Sequence, residues 1–211
     1  MEIREEELET KERIISGAQE LFHKYGIRTV TMDDIAKHLG MSKKTIYKYF
    51  KDKDDLVITK TINFLEQRAR QIEEFQAKAE NAIEEMFMSM KATSDLFKQM
   101  SPTLFYDMQK QHPAAWQKFR EFKEVSIAGR IERNLKRGIE EGLYRKDIHI
   151  QTMSRLRCEE IELPMYKDVY DSTKFNITEV QQQILDHFLH GIATLKGHRL
   201  INKYKQIQEE E

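Results

Sequence analysis

Apolar side chains recur at three- and four-residue steps through most of the chain, which is the spacing of amphipathic helices. The first stripe predicts a helix from Thr10 to Tyr25, and Gly26 follows where a helix C-cap accepts a positive φ. Two shorter helices are predicted next, because Thr31 and Ser42 stand at N-cap positions and Gly40 separates the two segments. The expected inward-facing residues of these three helices are Ile14, Ile15, Ala18, Leu21, Phe22, Tyr25, Ile35, Ala36, Leu39, Ile46 and Phe50.

Ala36, Gly40 and Ile46 have the spacing of a helix-turn-helix. Two helices that cross near a right angle need a small residue at their contact, a residue tolerant of positive φ in the turn, and a branched apolar residue beneath the second helix. The second helix of this pair then exposes lysines, a hydroxyl and aromatic rings, which suit a DNA major groove. The alternative is that these polar residues form an ordinary solvated helix face.

Helical patterns fill the rest of the chain as well, so the sequence predicts an all-α fold. We expect an N-terminal three-helix domain over residues 1–55, with an acidic tail at 1–9, and a helical bundle over residues 56–211. The predicted segments of the bundle are 54–76, 78–94, a short helix from Pro102, a long helix from Pro113 to Gly142, 148–170 with a kink at Pro164, and 177–204.

Composition agrees with an all-helical protein. The 211 residues include only 8 glycines and 3 prolines, too few for many strands joined by tight turns. The single cysteine, Cys158, excludes an internal disulfide and a multi-cysteine zinc site, and is interpreted as a packing residue. The first residues do not form a secretory signal, and no stretch approaches the ~18 uncharged apolar residues of a membrane span. We therefore expect a cytoplasmic protein without a membrane partner.

Charge is distributed unevenly along a chain whose net charge is −1. Between Lys37 and Lys53 there are six lysines and one acid, Asp52, whereas the first nine residues hold five glutamates. A short basic block in an otherwise balanced chain is typical of a phosphate-binding surface. Together with the helix-turn-helix spacing, this block predicts binding to double-stranded DNA.

Residues 31–56, together with the preceding segment Ala18–Gly26, resemble the DNA-binding domain of the tetracycline-repressor (TetR) family of transcriptional regulators. Ser42-Lys43, Thr45-Ile46-Tyr47 and Phe50 with Lys53 match the family motif closely. The resemblance implies a homodimer in which a three-helix DNA-binding domain precedes a six-helix domain for ligand binding and dimerisation. It also implies a small-molecule effector that releases the protein from its operator.

Carried over position by position, the resemblance assigns two kinds of DNA contact. The residues expected to hold phosphates are Thr31, Ser42, Tyr47 and Lys53. The residues expected at or near base edges are Lys43, Lys44, Thr45, Lys48 and Tyr49. A partly core position is the alternative for Tyr47, and Ser42 caps a helix in either case. Lys44 departs from the family pattern, in which many members have glycine or a small residue, so the base preference there stays open.

Methionines and aromatic residues concentrate between Met86 and Phe122. Such side chains adapt to irregular volumes, which suits a pocket for a small, largely apolar effector. The candidate pocket residues are Met86, Met90, Phe97, Met100, Phe105, Met108, Trp116 and Phe119. The alternative is that the same residues form an ordinary bundle core.

The homodimer is expected to use the last two long helices, since in the family these helices form a four-helix bundle with their mates. The resemblance therefore implies an interface on segments 148–170 and 177–204. The expected interface residues are Met153, Ile161, Ile184, Leu185, Phe188, Leu189, Ile192 and Leu195.

Motifs of catalysis are missing from the sequence, which contains no His-Glu-x-x-His pair, P-loop or Gly-x-Ser-x-Gly. His187 and His190 have a spacing that suits a metal, but a helix-surface pair is favoured. We expect no enzyme, cofactor or metal, and a ligand-responsive repressor that binds a pseudo-palindromic operator. Two alternatives stay open: a constitutive DNA-binding protein or activator without an effector, and a helical enzyme with a vestigial DNA-binding domain.

Overall fold

The structure is a computed structural model that describes residues 2–99, 102–166 and 168–206. Within these ranges the chain is all-α and forms no β-strand, so the predicted fold class is confirmed. The helices of the described residues are α1 (Glu2–Tyr25), α2 (Met32–Leu39), α3 (Lys43–Tyr49), α4 (Lys53–Lys78), α5 (Ala82–Gln99), α6 (Pro102–Gln111), α7 (Pro113–Phe122), α8 (Ala128–Glu140), α9 (Ile150–Glu162), α10 (Ile177–Ile192) and α11 (Leu195–Lys205). A π-helical turn, Lys123–Ile127, lies between α7 and α8, and a 3-10 turn, Leu163–Met165, follows α9.

The described residues form two compact units. The first unit comprises residues 2–67 and 102–121, and the second comprises residues 68–99, 122–166 and 168–206. The first unit is therefore larger than the predicted N-terminal domain, which ended at residue 55. The difference arises because residues 56–67 of α4, α6 and most of α7 also belong to this unit.

Contacts of α6 explain its place in the first unit. The hydroxyl of Thr61 on α4 donates a hydrogen bond to the sulfur of Met108 at 3.7 Å, and both residues are buried. After α6, Nδ1 of the buried His112 lies 2.5 Å from a carboxylate oxygen of Asp54 on α4. These partners are about fifty residues apart in sequence, so helical periodicity alone does not reveal them.

The first nine residues, which the sequence predicts to be a tail, belong to α1 where they are described. This helix begins at Glu2 rather than at Thr10. Its buried stripe contains Ile14, Ala18 and Phe22 as predicted, but Tyr25 is exposed. Glu5, Glu6, Glu7 and Glu9 therefore belong to the same helix as the buried stripe, and all four are exposed.

The prediction of one helix over residues 177–204 is wrong, because this segment forms two helices, α10 and α11. The chain leaves the helix at Ala193 and Thr194, where Arg145 N–H donates to Ile192 O at 2.8 Å and Thr194 N–H donates to Leu143 O at 2.9 Å. The Thr194 hydroxyl then accepts a hydrogen bond from Gly197 N–H and caps α11. Two hydrogen bonds with the loop after α8 thus hold the chain where the helix is interrupted.

The predicted helix 148–170 is also wrong, because Pro164 ends α9 instead of kinking it. A proline lacks the N–H that an α-helix uses and its ring clashes with the carbonyl four residues earlier. The chain passes through the 3-10 turn at Leu163–Met165, and residues 168–176 form turns rather than helix.

The second unit has a continuous apolar core built from α5, α8, α9, α10 and α11. Ion pairs of Arg137 with Glu85 (3.3 Å) and Glu141 (2.6 Å) lie beside it. Cys158 is buried there, as predicted for a packing residue, and burial raises the pKa of its thiol to about 11. The fully or nearly buried core residues are Ala82, Ile83, Met86, Ile131, Leu135, Leu143, Tyr144, Cys158, Leu185, Phe188, Leu189, Ile192, Ala193 and Ile201.

Lys60 on α4 makes the stability of the first unit dependent on pH. Its ammonium lies 5.7 Å from the centroid of the Phe22 ring, and burial lowers its pKa from 10.5 to about 8. The folded state therefore releases this proton before the unfolded state does. The free energy of unfolding should rise as the pH increases from about 8 to 10.5, and below pH 8 the folded protein holds a buried charge at a cost.

Lys60→Met is accordingly expected to raise the free energy of unfolding at pH 7 by about 1–3 kcal/mol, since one pKa unit corresponds to about 1.4 kcal/mol. Methionine keeps a similar length and removes the charge. Urea unfolding at pH 7, 9 and 10 measures the effect, and the variant should show a flatter dependence on pH. Equal stability of both proteins at pH 7, with the same slope, would contradict the assignment.

Candidate DNA-binding surface

The two helices of the helix-turn-helix are capped by the residues that the sequence predicts. Thr31 and Asp34 form a reciprocal capping box at the start of α2, with backbone-to-side-chain distances of 2.9 and 3.2 Å. Gly40 adopts a φ of 63°, and its N–H bonds to carbonyls of the last turn of α2. Ser42 Oγ accepts a hydrogen bond from Thr45 N–H at 3.0 Å at the start of α3. These caps fix both ends of the turn.

Packing beneath the turn holds α3 in place. Ile46 and Phe50, the inner residues of α3 and its C-cap, are 0% and 1% exposed, and Ala36 is buried at the corner. A further contact was not predicted: a Cβ built on Gly17 of α1 would lie 2.5 Å from Cδ2 of Leu39. Gly17 therefore permits the close approach of α1 and α2. Its signal in the sequence is a glycine in the interior of a helix, a position where glycine is otherwise unfavourable.

The outer face of α3 presents the predicted DNA-contacting side chains to solvent. Lys43, Lys44 and Lys48 are exposed, whereas Thr45 and Tyr49 are half-buried. Tyr47 is 49% exposed, which excludes the alternative of a core position in this structure. This face is the surface that a major groove would meet.

The residues predicted to hold phosphates border the same surface. Thr31 and Ser42 are exposed, and their hydroxyls act as helix caps. The Thr31 hydroxyl donates to Asp34 at 2.6 Å, and this hydrogen bond lowers the pKa of the Asp34 carboxyl. Lys53 is half-buried, its ammonium lies 3.4 Å from the carbonyl oxygen of Arg28, and burial lowers its pKa.

Two lysines of α3 form ion pairs with carboxylates from other helices. Lys43 Nζ lies 2.5 Å from Asp33 of α2, and Lys48 Nζ lies 3.1 Å from Glu7 of α1. The hydrogen bonds to these carboxylates raise the pKa of both ammonium groups. Glu7 is a residue of this surface that sequence reasoning missed, because the first nine residues were assigned to a tail.

The candidate effector-pocket residues fall in both units. Met86 belongs to the core of the second unit, and Met90 packs against it. Met108 lies in the first unit, where the rings of Trp116 and Phe119 stack with centroids 5.3 Å apart. Met100 and the side chains of Phe97 and Phe105 lie outside the part of the chain that is described. The pocket thus stays a prediction.

A polar cleft of about 310 Å³ lies in the second unit, beside the π-helical turn. Charged side chains line it, among them Lys123, Arg155 and Glu159, rather than the predicted methionines and aromatic rings. Within the described ranges, no group of three or more histidine, cysteine or acidic side chains is arranged to hold a metal ion. None of the described helices combines the length and the apolar character that a bilayer crossing requires.

Half of the predicted interface residues are buried within their own chain and cannot contact a partner chain. Leu185, Phe188, Leu189 and Ile192 are at most 3% exposed, because this stripe of α10 packs into the core of its own second unit. Their assignment to a dimer surface is therefore corrected. The other four predicted interface residues keep accessible surface: Met153, Ile161 and Ile184 are half-buried, and Leu195 is 82% exposed.

Comparison with known protein families identifies the N-terminal domain. The profile of the family described as "Bacterial regulatory proteins, tetR family" matches residues 14–59. An HTH-type transcriptional regulator of Staphylococcus aureus (strain bovine RF122 / ET3-1) is 36% identical over 75 residues, which are 34% of this chain and 40% of that protein. An HTH-type transcriptional regulator of Staphylococcus aureus (strain USA300) is 41% identical over 54 residues, 26% of this chain and 29% of that protein. The alignments thus span less than half the length of these curated relatives.

Solved structures share the fold over most of the chain. A transcriptional regulator from Cytophaga hutchinsonii has a TM-score of 0.72 and 21% identity, covering 87% of this chain and 98% of that one. The regulator FadR from Bacillus subtilis, in complex with stearoyl-CoA, has a TM-score of 0.69 and 20% identity, covering 85% and 98%. Thermus thermophilus FadR, a TetR-family repressor in complex with lauroyl-CoA, has a TM-score of 0.62 and 20% identity, covering 87% and 95%. At these identities the likeness establishes the fold.

Proposed function

We propose that this chain is a transcriptional repressor that binds a pseudo-palindromic operator and is released by a small effector, since residues 14–59 match the model of the tetR family of bacterial regulatory proteins. The observation that carries the proposal is the outer face of α3. Three exposed lysines and the exposed Tyr47 stand there on a helix that is capped at Ser42 and fixed from below by Ile46. A rigid, basic, solvent-facing helix is what major-groove docking requires.

In the proposed complex, the outer face of α3 meets base edges through Lys43, Lys44, Thr45, Lys48 and Tyr49. Thr31, Ser42, Tyr47 and Lys53 hold the flanking phosphates. Phosphate contacts set the position of the helix on the duplex, whereas base contacts give sequence specificity. The two sets should therefore differ in how their removal changes specificity.

We expect Lys48→Ala to weaken binding to the operator by about 1–3 kcal/mol and to relax specificity at the base it contacts. Lys53→Ala should instead weaken all duplexes about equally and reduce the salt slope by about one unit. Fluorescence anisotropy with an operator selected from a random duplex library, and with a random duplex, measures both. If both variants bind the operator like the wild type, α3 is not the recognition helix.

A homodimer is part of the proposal, because a single recognition helix covers one half-site only. Two copies of α3 related by a two-fold axis would need a spacing of about 34–36 Å, or a multiple, to enter successive major grooves. Accessible apolar surface on α9, α10 and α11 supports an interface there. This surface belongs to Met153, Ile161, Ile184 and Leu195. Sedimentation of the full chain at micromolar concentration tests the assembly.

The effector is proposed to be small and largely apolar. Two proteins of the same fold are described in complex with stearoyl-CoA and lauroyl-CoA, so fatty acyl thioesters of coenzyme A are the first class to test. A mobility-shift assay on the DNA that flanks its own gene, with acyl-CoAs of graded chain length and with free coenzyme A, is the decisive experiment. Release by acyl-CoA supports a ligand-responsive repressor, whereas binding that no candidate changes favours a constitutive DNA-binding protein.

A further inference from the structure

Two of the three lysines on α3 (Lys43–Tyr49) form ion pairs with carboxylates of the same chain. Glu7 reaches Lys48 from α1 across 41 residues of sequence, at 3.1 Å, and Asp33 reaches Lys43 from α2 at 2.5 Å. All four side chains are exposed, so water and DNA have access to both pairs. Glu6 adds further negative charge near Lys48. The face that would approach a polyanion is thus partly neutralised by acids of the same chain.

We propose that Glu7 and Asp33 are specificity-determining residues, which hold Lys48 and Lys43 away from the phosphates of non-operator DNA until operator bases replace the carboxylates. This inference rests on the proposed DNA binding by α3. It concerns residues outside the helix that meets the groove.

The physical basis is competition between an intramolecular carboxylate and a phosphate for one ammonium group. Binding to random sequence depends almost entirely on phosphate contacts and on the release of counterions from the DNA. A lysine that is already paired with a carboxylate gains little from a screened phosphate, because one anion merely replaces another. Glu7 and Asp33 therefore reduce by two the number of lysine–phosphate contacts that contribute to sequence-independent binding.

The operator complex differs because α3 enters the major groove and its lysines meet base edges there. There a lysine donates charge-assisted hydrogen bonds to base acceptors such as guanine O6 and N7, and random sequence does not present these acceptors in the same register. Exposed ion pairs of this kind contribute little to stability, so the hydrogen bonds to the bases are strong enough to displace the carboxylates. The two acids thus weaken random-sequence binding more than operator binding.

Glu7→Gln tests the inference, and Glu9→Gln is its matched control, since it removes the same charge from another exposed position on α1. The affinities of wild type and variants are measured over a salt series, for an operator selected with the wild type and for a random duplex. For the random duplex, Glu7→Gln should bind several-fold more tightly at low salt, with a slope of log K against log salt steeper by about 0.9, the value for one added phosphate contact. Its operator affinity should change less, and Glu9→Gln should leave both slopes unchanged.

Lys48→Gln and the double variant Glu7→Gln/Lys48→Gln show whether Glu7 acts through Lys48. The gain from Glu7→Gln should vanish when Lys48 is absent; a gain that persists would mean general repulsion between Glu7 and DNA, and would overturn the inference.

Asp33→Asn should repeat the effect through Lys43. Equal gains on both duplexes would also overturn it, and weaker operator binding by Glu7→Gln would make Glu7 a positioning residue instead. If the wild type selects no operator, the proposed function fails first, and that result is distinct from an operator-binding wild type whose Glu7→Gln variant is unchanged.

Discussion

Leu189→Glu is expected to unfold the second unit, whereas Leu195→Glu is expected to leave it folded. Both leucines were predicted at the dimer interface, but Leu189 is 0% exposed and Leu195 is 82% exposed. Loss of a buried leucine costs about 2–5 kcal/mol, and an ionised carboxylate in an apolar core adds several kcal/mol more. The total approaches the whole stability of a domain, about 5–15 kcal/mol. Far-UV circular dichroism and urea unfolding of the two variants measure the difference.

Leu195→Glu is the matched control, because the same substitution is made at the start of α11. A negative charge in the first turn of a helix is favourable, and exposed substitutions usually change stability by less than about 0.5 kcal/mol. Sedimentation of this folded variant then tests whether position 195 contributes to the proposed homodimer. A Leu189→Glu protein that is folded and monomeric would contradict the burial of α10 in its own chain.

The corrected interface shows what a hydrophobic stripe leaves undecided. Leu185, Phe188, Leu189 and Ile192 follow the spacing of one helix face, so the sequence does predict that this face is covered. Periodicity does not say whether the cover comes from the same chain or from a partner. In the structure it comes from α5, α8, α9 and α11 of the same unit, all of which contribute to that core.

The helix-turn-helix could be predicted well because its determinants are local. The caps at Thr31 and Ser42 bond to backbone N–H groups only three residues away. The backbone at position 40 has a φ of 63°, which favours glycine, and the apolar periodicity of the seven-residue helix α3 marks Ile46 as an inner residue. Each of these signals lies within one or two helical turns of its effect, so one sequence is sufficient to recognise it.

The parts that were not predicted depend on partners far away in the chain. The break between α10 and α11 needs Leu143 and Arg145, which pair with the backbone at residues 192 and 194. The Lys48–Glu7 pair joins two helices 41 residues apart in sequence. Charge patterning located the basic block and the acidic segment separately, but only the fold brings them together.

Ile46→Ala is the second variant with a large expected effect, and here the loss falls on DNA binding. Its side chain is fully buried beneath α3, so truncation should cost about 2–5 kcal/mol of stability. A helix of seven residues is not stable by itself in water, so α3 keeps its shape through Ser42, Ile46 and Phe50. Without Ile46 the docked conformation of α3 is less populated, and operator affinity should fall roughly tenfold or more, equivalent to at least about 1.4 kcal/mol.

Two controls separate local loosening of α3 from general destabilisation. Ile46→Val keeps most of the contact, costs about 0.5–1.5 kcal/mol and should retain operator binding. Leu189→Ala removes a comparable buried side chain from the second unit. At a temperature where this variant is folded, amide hydrogen exchange in its α3 should match that of the wild type. Ile46→Ala should instead show faster exchange in α3 together with weaker binding. Wild-type affinity in a folded Ile46→Ala protein would mean that the docking of α3 on Ile46 does not limit recognition of the operator.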